Sequence, residues 1–368
     1  MDARVLLHIL EEVTSLPTAP YHEGAVIRHV EAFARERGLS CRRDPYGNVI
    51  LLLEQHPGGA DPLVLTAHMD HPGFEVAGVE DGLVRARWMG GVAADYFPDA
   101  DVEVFGEEPV PGRIVKYNAD EEGRVSEIFL EMDGEVPPDA FGSWALKPFR
   151  VDPPNLALRA ADDLVGVAAI LAVLELLWAR EDKVNLLAVF TRAEEVGFLG
   201  ATGLLKGDLL PKGAPVVTLE CSGELPAVQL GRGPVVRVGD RLGVFDFGLT
   251  HFLCQVAEGI AGLFKDFAWQ RALMDRGTCE STLFAAHGHP TACLAFPLAN
   301  YHNSGEDGYS VAAEGIHLGD FFGGVTLLAE AARRWPREGP ATLQRLIDGL
   351  EERSRPGMVR LANADLSG

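Results

Sequence analysis

Short apolar runs recur along this chain, and four of them lead to side chains that can bind a metal ion. The four runs are residues 63–67, 186–190, 216–219 and 292–296. Runs of this length, rich in Val and Leu and bounded by Gly and Pro, are typical of buried strands in an α/β sheet. In open α/β sheets the functional crevice lies beyond the carboxyl ends of the strands. The polar residues that follow these runs are therefore expected to converge on one place.

Helical periodicity marks the segments between and around these runs. It predicts helices at residues 5–13, 25–34, 249–262, 282–286, 319–335 and 341–353. The continuous apolar segment 164–179 predicts a buried helix. Helices and strands that alternate in this way predict an α/β fold.

The region after Gly73 has a different pattern. Short alternating stretches at residues 74–79, 83–88, 102–105, 113–117 and 127–131 are separated by turn sequences. This pattern is typical of an all-β module. The chain is therefore predicted to form one discontinuous α/β domain, residues 1–73 and 156–368, interrupted by a β insert at residues 74–155.

Composition narrows the choice of partners and compartment. The chain has 368 residues and a net charge of −22, so neither nucleic acid nor an anionic membrane is an expected partner. The five cysteines are scattered without a C-x-x-C pair, which favours reduced thiols. The sequence has no recognisable signal peptide and no apolar run that could span a membrane, so a cytoplasmic location is expected.

His68 and Asp70 follow the first apolar run as an H-x-D pair. Residues two apart on a strand face the same way, so Asp70 can hold the second N–H of the imidazole. Such a contact fixes the tautomer of the histidine and makes it a better metal ligand. His71, the next residue, is expected to line the mouth of the cleft.

Two acidic pairs add candidate ligands. The adjacent Glu194 and Glu195 repel each other unless positive charge compensates for them, and two divalent metals would do so. One of the pair can then ligate a metal while the other acts as a general base. Ahead of the apolar helix, Asp163 fits a helix N-cap, whereas Asp162 fits a carboxylate that bridges two metals.

Glu220 ends the third run, and His302 lies in the loop after the fourth. The candidate metal ligands are thus two histidines and three carboxylates: His68, Asp162, Glu195, Glu220 and His302. This mixture of nitrogen and oxygen donors suits zinc, cobalt or manganese. With Asp162 shared, one metal takes His68 and Glu220, the other takes Glu195 and His302, and a water molecule completes both.

These residues lie in motifs that resemble those of the glutamyl or deblocking aminopeptidases. That family, metallopeptidase family forty-two, consists of dinuclear zinc enzymes of the tetrahedral-aminopeptidase type, and the similarity covers nearly the whole chain. The matching motifs are Ala67-His68-Met69-Asp70, Ala161-Asp162-Asp163, Glu194-Glu195-Val196-Gly197, Gly231-Arg232-Gly233-Pro234 and Tyr301-His302-Asn303-Ser304, with Gly90-Gly91 and Val110-Pro111-Gly112 in the insert.

The resemblance implies a zinc-aminopeptidase-like α/β/α sandwich with an inserted PDZ-like β-barrel that contributes to oligomerisation and shapes the cleft. It implies that Glu194 is the general base, that Asp70 supports His68, and that two divalent metal ions bind per chain. By analogy, the Asp162–Asp163 peptide bond is expected to be cis. A homo-oligomer is also implied, with a dimer as its building block. A tetrahedral dodecamer is one such assembly, and the sequence does not fix the number of subunits.

The chain departs from the family pattern at three places. His71-Pro72-Gly73 stands where Glu-Ile-Gly is common, and Cys279-Glu280-Ser281 stands where Thr-Asp-Ala is usual. Glu220 replaces an Asp, and both residue types occur there among more distant relatives. Because of their expected places near the cleft, His71 and Glu280 are candidates for contacts with substrate.

The favoured function is metal-dependent hydrolysis of N-terminal residues from peptides. Two alternatives stay open: an amidase or deacylase of small N-acylated substrates, and a non-catalytic metal-binding scaffold. Glycoside hydrolysis is disfavoured, because it needs two carboxyl groups about 5 to 9.5 Å apart around a sugar and gives the histidines no role. The sequence leaves the side-chain preference open.

Overall fold

The computed structural model describes residues 3–54 and 62–363, which form eight α-helices and seventeen strands. The helices are α1 (Ala3–Thr14), α2 (Gly24–Arg37), α3 (Leu164–Ala179), α4 (Leu199–Lys206), α5 (Phe247–Leu263), α6 (Glu280–Ala286), α7 (Leu318–Glu338) and α8 (Thr342–Ala362). The strands are β1 (Ser40–Arg43), β2 (Val49–Glu54), β3 (Leu63–His68), β4 (Gly73–Glu80), β5 (Leu83–Met89), β6 (Asp101–Val104), β7 (Val110–Ala119), β8 (Val125–Met132), β9 (Phe141–Trp144), β10 (Phe149–Asp152), β11 (Asn155–Leu158), β12 (Asn185–Thr191), β13 (Val216–Gly223), β14 (Val235–Arg237), β15 (Gln270–Ala272), β16 (Thr291–Leu298) and β17 (Glu314–His317).

The central sheet has eight strands in the order β1-β2-β12-β3-β13-β16-β14-β15. Its four middle strands, β12, β3, β13 and β16, run parallel to one another. The connections between parallel strands must cross over the sheet, and helices supply them. The carboxyl ends of the four strands consequently lie along one edge, where the candidate ligands are expected.

Side chains of the central strands alternate between two helical layers. On β3, Leu63 and Leu65 pack into the core that includes residues of α1, α3, α5 and α7, whereas Val64 packs into the core on the opposite face with α4 and α6. Helix α3 is buried along nearly its whole length, which explains its uninterrupted apolar sequence. The predicted α/β/α sandwich is confirmed.

The insert forms a closed antiparallel barrel with the strand order β4-β5-β8-β7-β6-β9. Its core contains the aromatic side chains Phe74, Trp88, Phe97 and Trp144. Strand β10 lies outside the barrel, because it pairs with β11, which in turn pairs with β17 of the α/β domain. The barrel strands therefore end at β9, before the predicted boundary at residue 155.

Two helices differ from the sequence-based prediction. The sequence does not predict α4, because Gly200 and Gly203 weaken its helical signal. The glycine at position 200 serves close packing, since a Cβ there would lie 2.5 Å from backbone atoms of Arg192. Helix α8 continues to Ala362 instead of ending near residue 353, because Pro356 is accommodated within it.

No helix among the described residues is long and apolar enough to cross a membrane. All five cysteines are free: Cys41 is exposed, and Cys221, Cys254, Cys279 and Cys293 are buried. The absence of disulfides among them agrees with the expectation of reduced thiols.

A buried ion pair connects the barrel to the α/β domain. Arg159, which follows β11, donates from Nη1 to Oε1 of Glu103 on β6 over 2.7 Å. Its guanidinium also lies over the ring of Phe105, 4.6 Å from the centroid. Burial lowers the pKa of Arg159, and the charge of Glu103 opposes that effect. The carboxylate of Glu103 therefore offsets part of the cost of burying the charge of Arg159.

We expect Glu103→Ala to lower the free energy of unfolding by about 3 kcal/mol, because Arg159 is left buried without a carboxylate. The matched control is Asp101→Ala on the same strand, which removes an exposed pair with Arg113 and should cost less than about 1 kcal/mol. Guanidinium unfolding followed by tryptophan fluorescence measures both losses. Equal losses in the two variants would contradict a special role for the buried pair.

Candidate metal centre

Three candidate ligands follow the carboxyl ends of adjacent parallel strands. His68 is the last residue of β3, Glu220 lies in the second half of β13, and Glu195 lies in the loop after β12. Strand β3 pairs with β12 on one side and with β13 on the other, both in parallel. The residues at the three strand ends therefore meet at one edge of the sheet, as predicted.

Asp162 and His302 reach the same edge from other parts of the chain. Asp162 lies between β11 and α3, and His302 lies in the 3₁₀ turn Tyr301–Asn303 after β16. His302 has a φ of 52° and a ψ of 39°, a left-handed conformation that costs energy for a residue with a side chain. Its ring Nδ1 lies 2.7 Å from the carbonyl oxygen of Gly91, so the barrel helps to orient this ligand.

The five candidate ligands form two groups that share Asp162. One group is His68, Asp162 and Glu220, and the other is Asp162, Glu195 and His302, with potential ligand atoms within 4.8 Å of one another in each. Oδ1 of Asp162 is 3.5 Å from Nε2 of His68, and Oδ2 is 3.5 Å from Nε2 of His302. Each oxygen of one carboxylate thus faces a different group, as a bridging ligand requires.

The donor atoms of both groups fit divalent metal ions. Oδ1 of Asp162 and Oε1 of Glu195 are buried without a well-aligned hydrogen bond, although Oε1 of Glu195 lies 3.1 Å from Nε2 of His302. A buried carboxylate oxygen in that state is unfavourable unless a positive group approaches it. The mixture of imidazole nitrogen and carboxylate oxygen suits zinc and similar cations. The described residues therefore contain two overlapping candidate metal sites with mixed imidazole and carboxylate donors, besides a third group made of Asp162, Asp163 and Cys221.

Buried negative charge dominates the electrostatics of the cluster. Burial raises the pKa of Glu194 well above its usual value, and Glu195 raises it further although His68 opposes this. Burial likewise raises the pKa of Glu220. Burial alone would lower the pKa of His68, but Glu194 and the other nearby carboxylates raise it well above its usual value. The cluster thus holds more carboxylate than its own cations can compensate, which metal ions would correct.

Asp70 supports the site in a different way from the one expected. Its carboxylate accepts the backbone N–H of Glu194 over 3.0 Å and that of Glu195 over 3.1 Å. Nδ1 of His68 lies 3.1 Å from the carbonyl oxygen of Asp70 and 3.6 Å from its carboxylate. The second N–H of His68 is therefore satisfied mainly by the backbone, and the Asp70 side chain fixes the Glu194–Glu195 loop.

The two adjacent aspartates have separate places. Asp163 is the N-cap of α3, and its carboxylate accepts the backbone N–H of Gly166 over 3.1 Å. Asp162 faces the candidate ligands instead. The Asp162–Asp163 peptide bond is cis, as predicted from the resemblance.

Sequence reasoning missed two buried glutamates that hold the site's backbone. Glu314 accepts the N–H groups of Asp162 and His302, and Glu23 accepts that of Ala193, next to the Glu194–Glu195 pair. Both contacts join segments far apart in the chain. The one sequence signal for Glu314 is its isolation as a single acidic residue in a stretch without other charges.

His71 and Glu280 lie behind the metal cluster, not at the cleft surface expected for them. His71 is 1% exposed, and its Nδ1 lies 2.5 Å from the carbonyl oxygen of Asp162. Glu280 is 3% exposed and accepts the hydroxyl of Thr191, and burial raises its pKa to about 7. Neither side chain lines the cavities beside the cluster. Burial therefore makes both residues unsuited to direct contact with substrate.

Two cavities open beside the cluster. The larger, of about 1050 Å³, is lined by barrel residues together with Tyr21, Glu195 and Val196. The smaller, of about 270 Å³, adjoins Glu220 and has Arg237 and Arg276 in its wall. A molecule bound at the cluster can therefore extend in two directions.

Comparison with known proteins gives a consistent family. Residues 133–309 match the family model described as M42 glutamyl aminopeptidase. The TET1 peptidase of Pyrococcus horikoshii, described as able to assemble into a tetrahedron or a large octahedral shell, is 22% identical, with a TM-score of 0.74 over 89% of this chain and 99% of that one. An aminopeptidase from Desulfurococcus kamchatkensis is 20% identical, with a TM-score of 0.76 over 91% of this chain and 97% of that one.

A third similar structure is a TET aminopeptidase from a marine sediment archaeon of the Thaumarchaeota. It is 16% identical, with a TM-score of 0.76 over 91% of this chain and 97% of that one. The span that matches the family model contains Asp162, Glu195, Glu220 and His302. Residues 133–309 therefore match the M42 glutamyl aminopeptidase family, and the likenesses to solved structures show that the chain has the fold of TET aminopeptidases.

Proposed function

We propose that this protein is a metal-dependent aminopeptidase that removes residues from the free N-termini of peptides. The observation that carries the proposal is the shared carboxylate of Asp162, whose two oxygens face the two groups of candidate ligands. This arrangement suits two cations that act together on one amide bond. The match of residues 133–309 to the M42 glutamyl aminopeptidase family model supports the same chemistry.

The proposed cofactors are two divalent cations, zinc in the first place and otherwise cobalt or manganese. His68 and Glu220 would hold one, Glu195 and His302 would hold the other, and Asp162 would contribute to both. Bound there, the cations would polarise the scissile carbonyl group and make a water molecule more acidic.

Glu194 is the proposed general base. It is buried beside the candidate ligand Glu195, and Asp70 holds the backbone of both residues. Burial raises the pKa of Glu194, and nearby cations would lower it again, because opposite charge favours the carboxylate. Glu194 then takes a proton from the attacking water and passes it to the leaving amine.

The smaller cavity is the proposed place for the side chain of the substrate's N-terminal residue. It adjoins Glu220 and has two arginines in its wall. Arg237 is buried and donates to neutral acceptors, the hydroxyl of Ser222 and the carbonyl of Met274. We therefore expect acidic N-terminal side chains to be preferred over basic ones. The larger cavity would accommodate the rest of the peptide.

A homo-oligomer is proposed by analogy, because one structural relative is described as a dodecamer. The β-barrel, residues 74–155 in the sequence-based division, is the proposed oligomerisation module and forms one wall of the larger cavity. A cytoplasmic location, with peptide substrates and without nucleic acid or membrane partners, fits the acidic composition.

Peptide digestion distinguishes the proposed activity from its alternatives. A peptide panel, half of it N-acetylated, is incubated with metal-free and zinc-loaded protein and analysed by mass spectrometry. We expect stepwise loss of single residues, from free N-termini only and with metal only. Removal of acetyl groups would indicate a deacylase instead. Metal binding without any cleavage would indicate a non-catalytic scaffold.

Glu194→Gln should retain the bound metals and lower kcat by about 10²- to 10⁴-fold, because an amide cannot accept the proton. Elemental analysis checks the metals, and hydrolysis of a free peptide checks turnover. The control Glu306→Gln changes an exposed glutamate in the loop after His302 and should alter neither quantity. Wild-type turnover in Glu194→Gln would remove this residue from the role of base.

Arg276→Gln should lower the preference for N-terminal Glu over N-terminal Leu, measured as the ratio of kcat/KM values. Because Arg276 is exposed, the expected change is modest, about threefold to fivefold. The control Arg241→Gln removes an exposed arginine that does not line the cavity and should leave the ratio unchanged. An unchanged ratio in Arg276→Gln would place acidic specificity elsewhere.

A further inference from the structure

Glu314 is a completely buried carboxylate at the start of β17, with no place in the proposed chemistry. Its Oε2 accepts the backbone N–H of Ala161 over 2.6 Å and that of Asp162 over 3.1 Å. Its Oε1 accepts the backbone N–H of His302 over 2.8 Å. One side chain thus uses both oxygens to hold two separate segments of the metal centre.

Both segments are irregular backbone outside the strands of the central sheet. Asp162 lies ahead of α3, and His302 lies in a 3₁₀ turn with a left-handed backbone. Hydrogen bonds from backbone N–H groups to a carboxylate are about twice as strong as those to a neutral acceptor. Glu314 therefore ties the shared ligand and the turn ligand to a single rigid point.

His71 holds the same region from the other side. Its Nδ1 lies 2.5 Å from the carbonyl oxygen of Asp162, and its Nε2 lies 3.0 Å from Oδ1 of Asn303. Nε2 of His71 is also 3.9 Å from Oε2 of Glu314. Glu314 thus holds the N–H of Asp162, and His71 holds the carbonyl of the same residue. His71 also contacts Asn303, the residue that follows His302 in the chain.

We propose that Glu314 is a positioning residue that sets the spacing of the metal centre through the backbone of Asp162 and His302. The inference rests on the proposed binding of two cations. Two of the three ligands in the Asp162–Glu195–His302 group depend on Glu314, but only Asp162 does in the group with His68 and Glu220. Loss of Glu314 therefore weakens the cation held by His302 more than the cation held by His68.

Cobalt(II) titration of the metal-free protein tests this inference by calorimetry and by visible absorption, which reports the coordination geometry. In Glu314→Gln one carboxylate oxygen becomes an N–H₂ donor that faces a backbone N–H. We expect one cobalt site to lose about 10- to 100-fold in affinity and the other to change less, because the loss of an orienting partner usually costs this much. The activity of this variant should recover as cobalt is added.

The matched control is Asp320→Asn. Asp320 is also a buried carboxylate that accepts two backbone N–H groups, those of Gly231 over 2.8 Å and Gly233 over 2.7 Å, but it contacts none of the candidate ligands. The substitution Asp320→Asn should lower the melting temperature of the protein without changing the affinity of either cobalt site. Unchanged cobalt affinities in Glu314→Gln, or equal losses in the two variants, would overturn the inference.

If Glu314→Gln does not fold, Glu314→Asp provides the same comparison. It keeps the negative charge but withdraws it by one methylene, and a loss of about tenfold at one cobalt site, with a smaller change at the other, is expected. Wild-type affinity at both sites in this variant would also overturn the inference. A wild-type protein that binds no cobalt, zinc or manganese would instead contradict the proposed function, so the two failures are distinguishable.

Discussion

The concentration of buried carboxylates at one edge of the sheet is the constraint on which this structure depends. Asp70, Asp162, Asp163, Glu194 and Glu220 are all buried there. Removing a carboxylate from water is unfavourable unless hydrogen bonds or cations replace the water. The surrounding fold supplies backbone N–H groups to some of these carboxylates and leaves others facing one another. The carboxylates that face one another are the candidate metal ligands, and those that accept backbone N–H groups are the supporting residues.

That division explains why neighbouring acidic residues differ in role. Asp163 accepts the N–H of Gly166, and Asp70 accepts those of Glu194 and Glu195, so their charges are met by the backbone. Asp162 and Asp163 each keep one oxygen without a hydrogen-bond partner, but the carboxylate of Asp162 faces both candidate histidines, His68 and His302. Residue type alone does not distinguish an aspartate that caps a helix from one that can bridge two cations. The surroundings of each carboxylate, and the nearby backbone N–H groups in particular, distinguish the two roles.

The sequence predicts the parts of the site that follow from local rules. Apolar runs locate the parallel strands, and their carboxyl ends locate His68, Glu195 and Glu220. Glu314 could not be found in this way, because it accepts the backbone N–H of Asp162, 152 positions away in the chain. The carbonyl of Gly91 could not be found either, because it contacts the ring of His302, 211 positions away. The boundary of the barrel is similarly non-local, since β11 pairs with β17 far along the chain. The motif resemblance supplied the cis bond after Asp162, which no residue pattern indicates.

Both candidate histidines are presented in the same way by different parts of the fold. In each ring Nδ1 is next to a carbonyl oxygen, that of Asp70 for His68 and that of Gly91 for His302. A carbonyl oxygen can only accept, so Nδ1 carries a proton, and Nε2, which faces Asp162, is the ring nitrogen that can bind a cation. For His68 the carbonyl comes from the same strand end, but for His302 it comes from the barrel. The barrel therefore orients the ring of His302 through the carbonyl of Gly91. It contributes to the candidate metal centre as well as to the wall of the larger cavity.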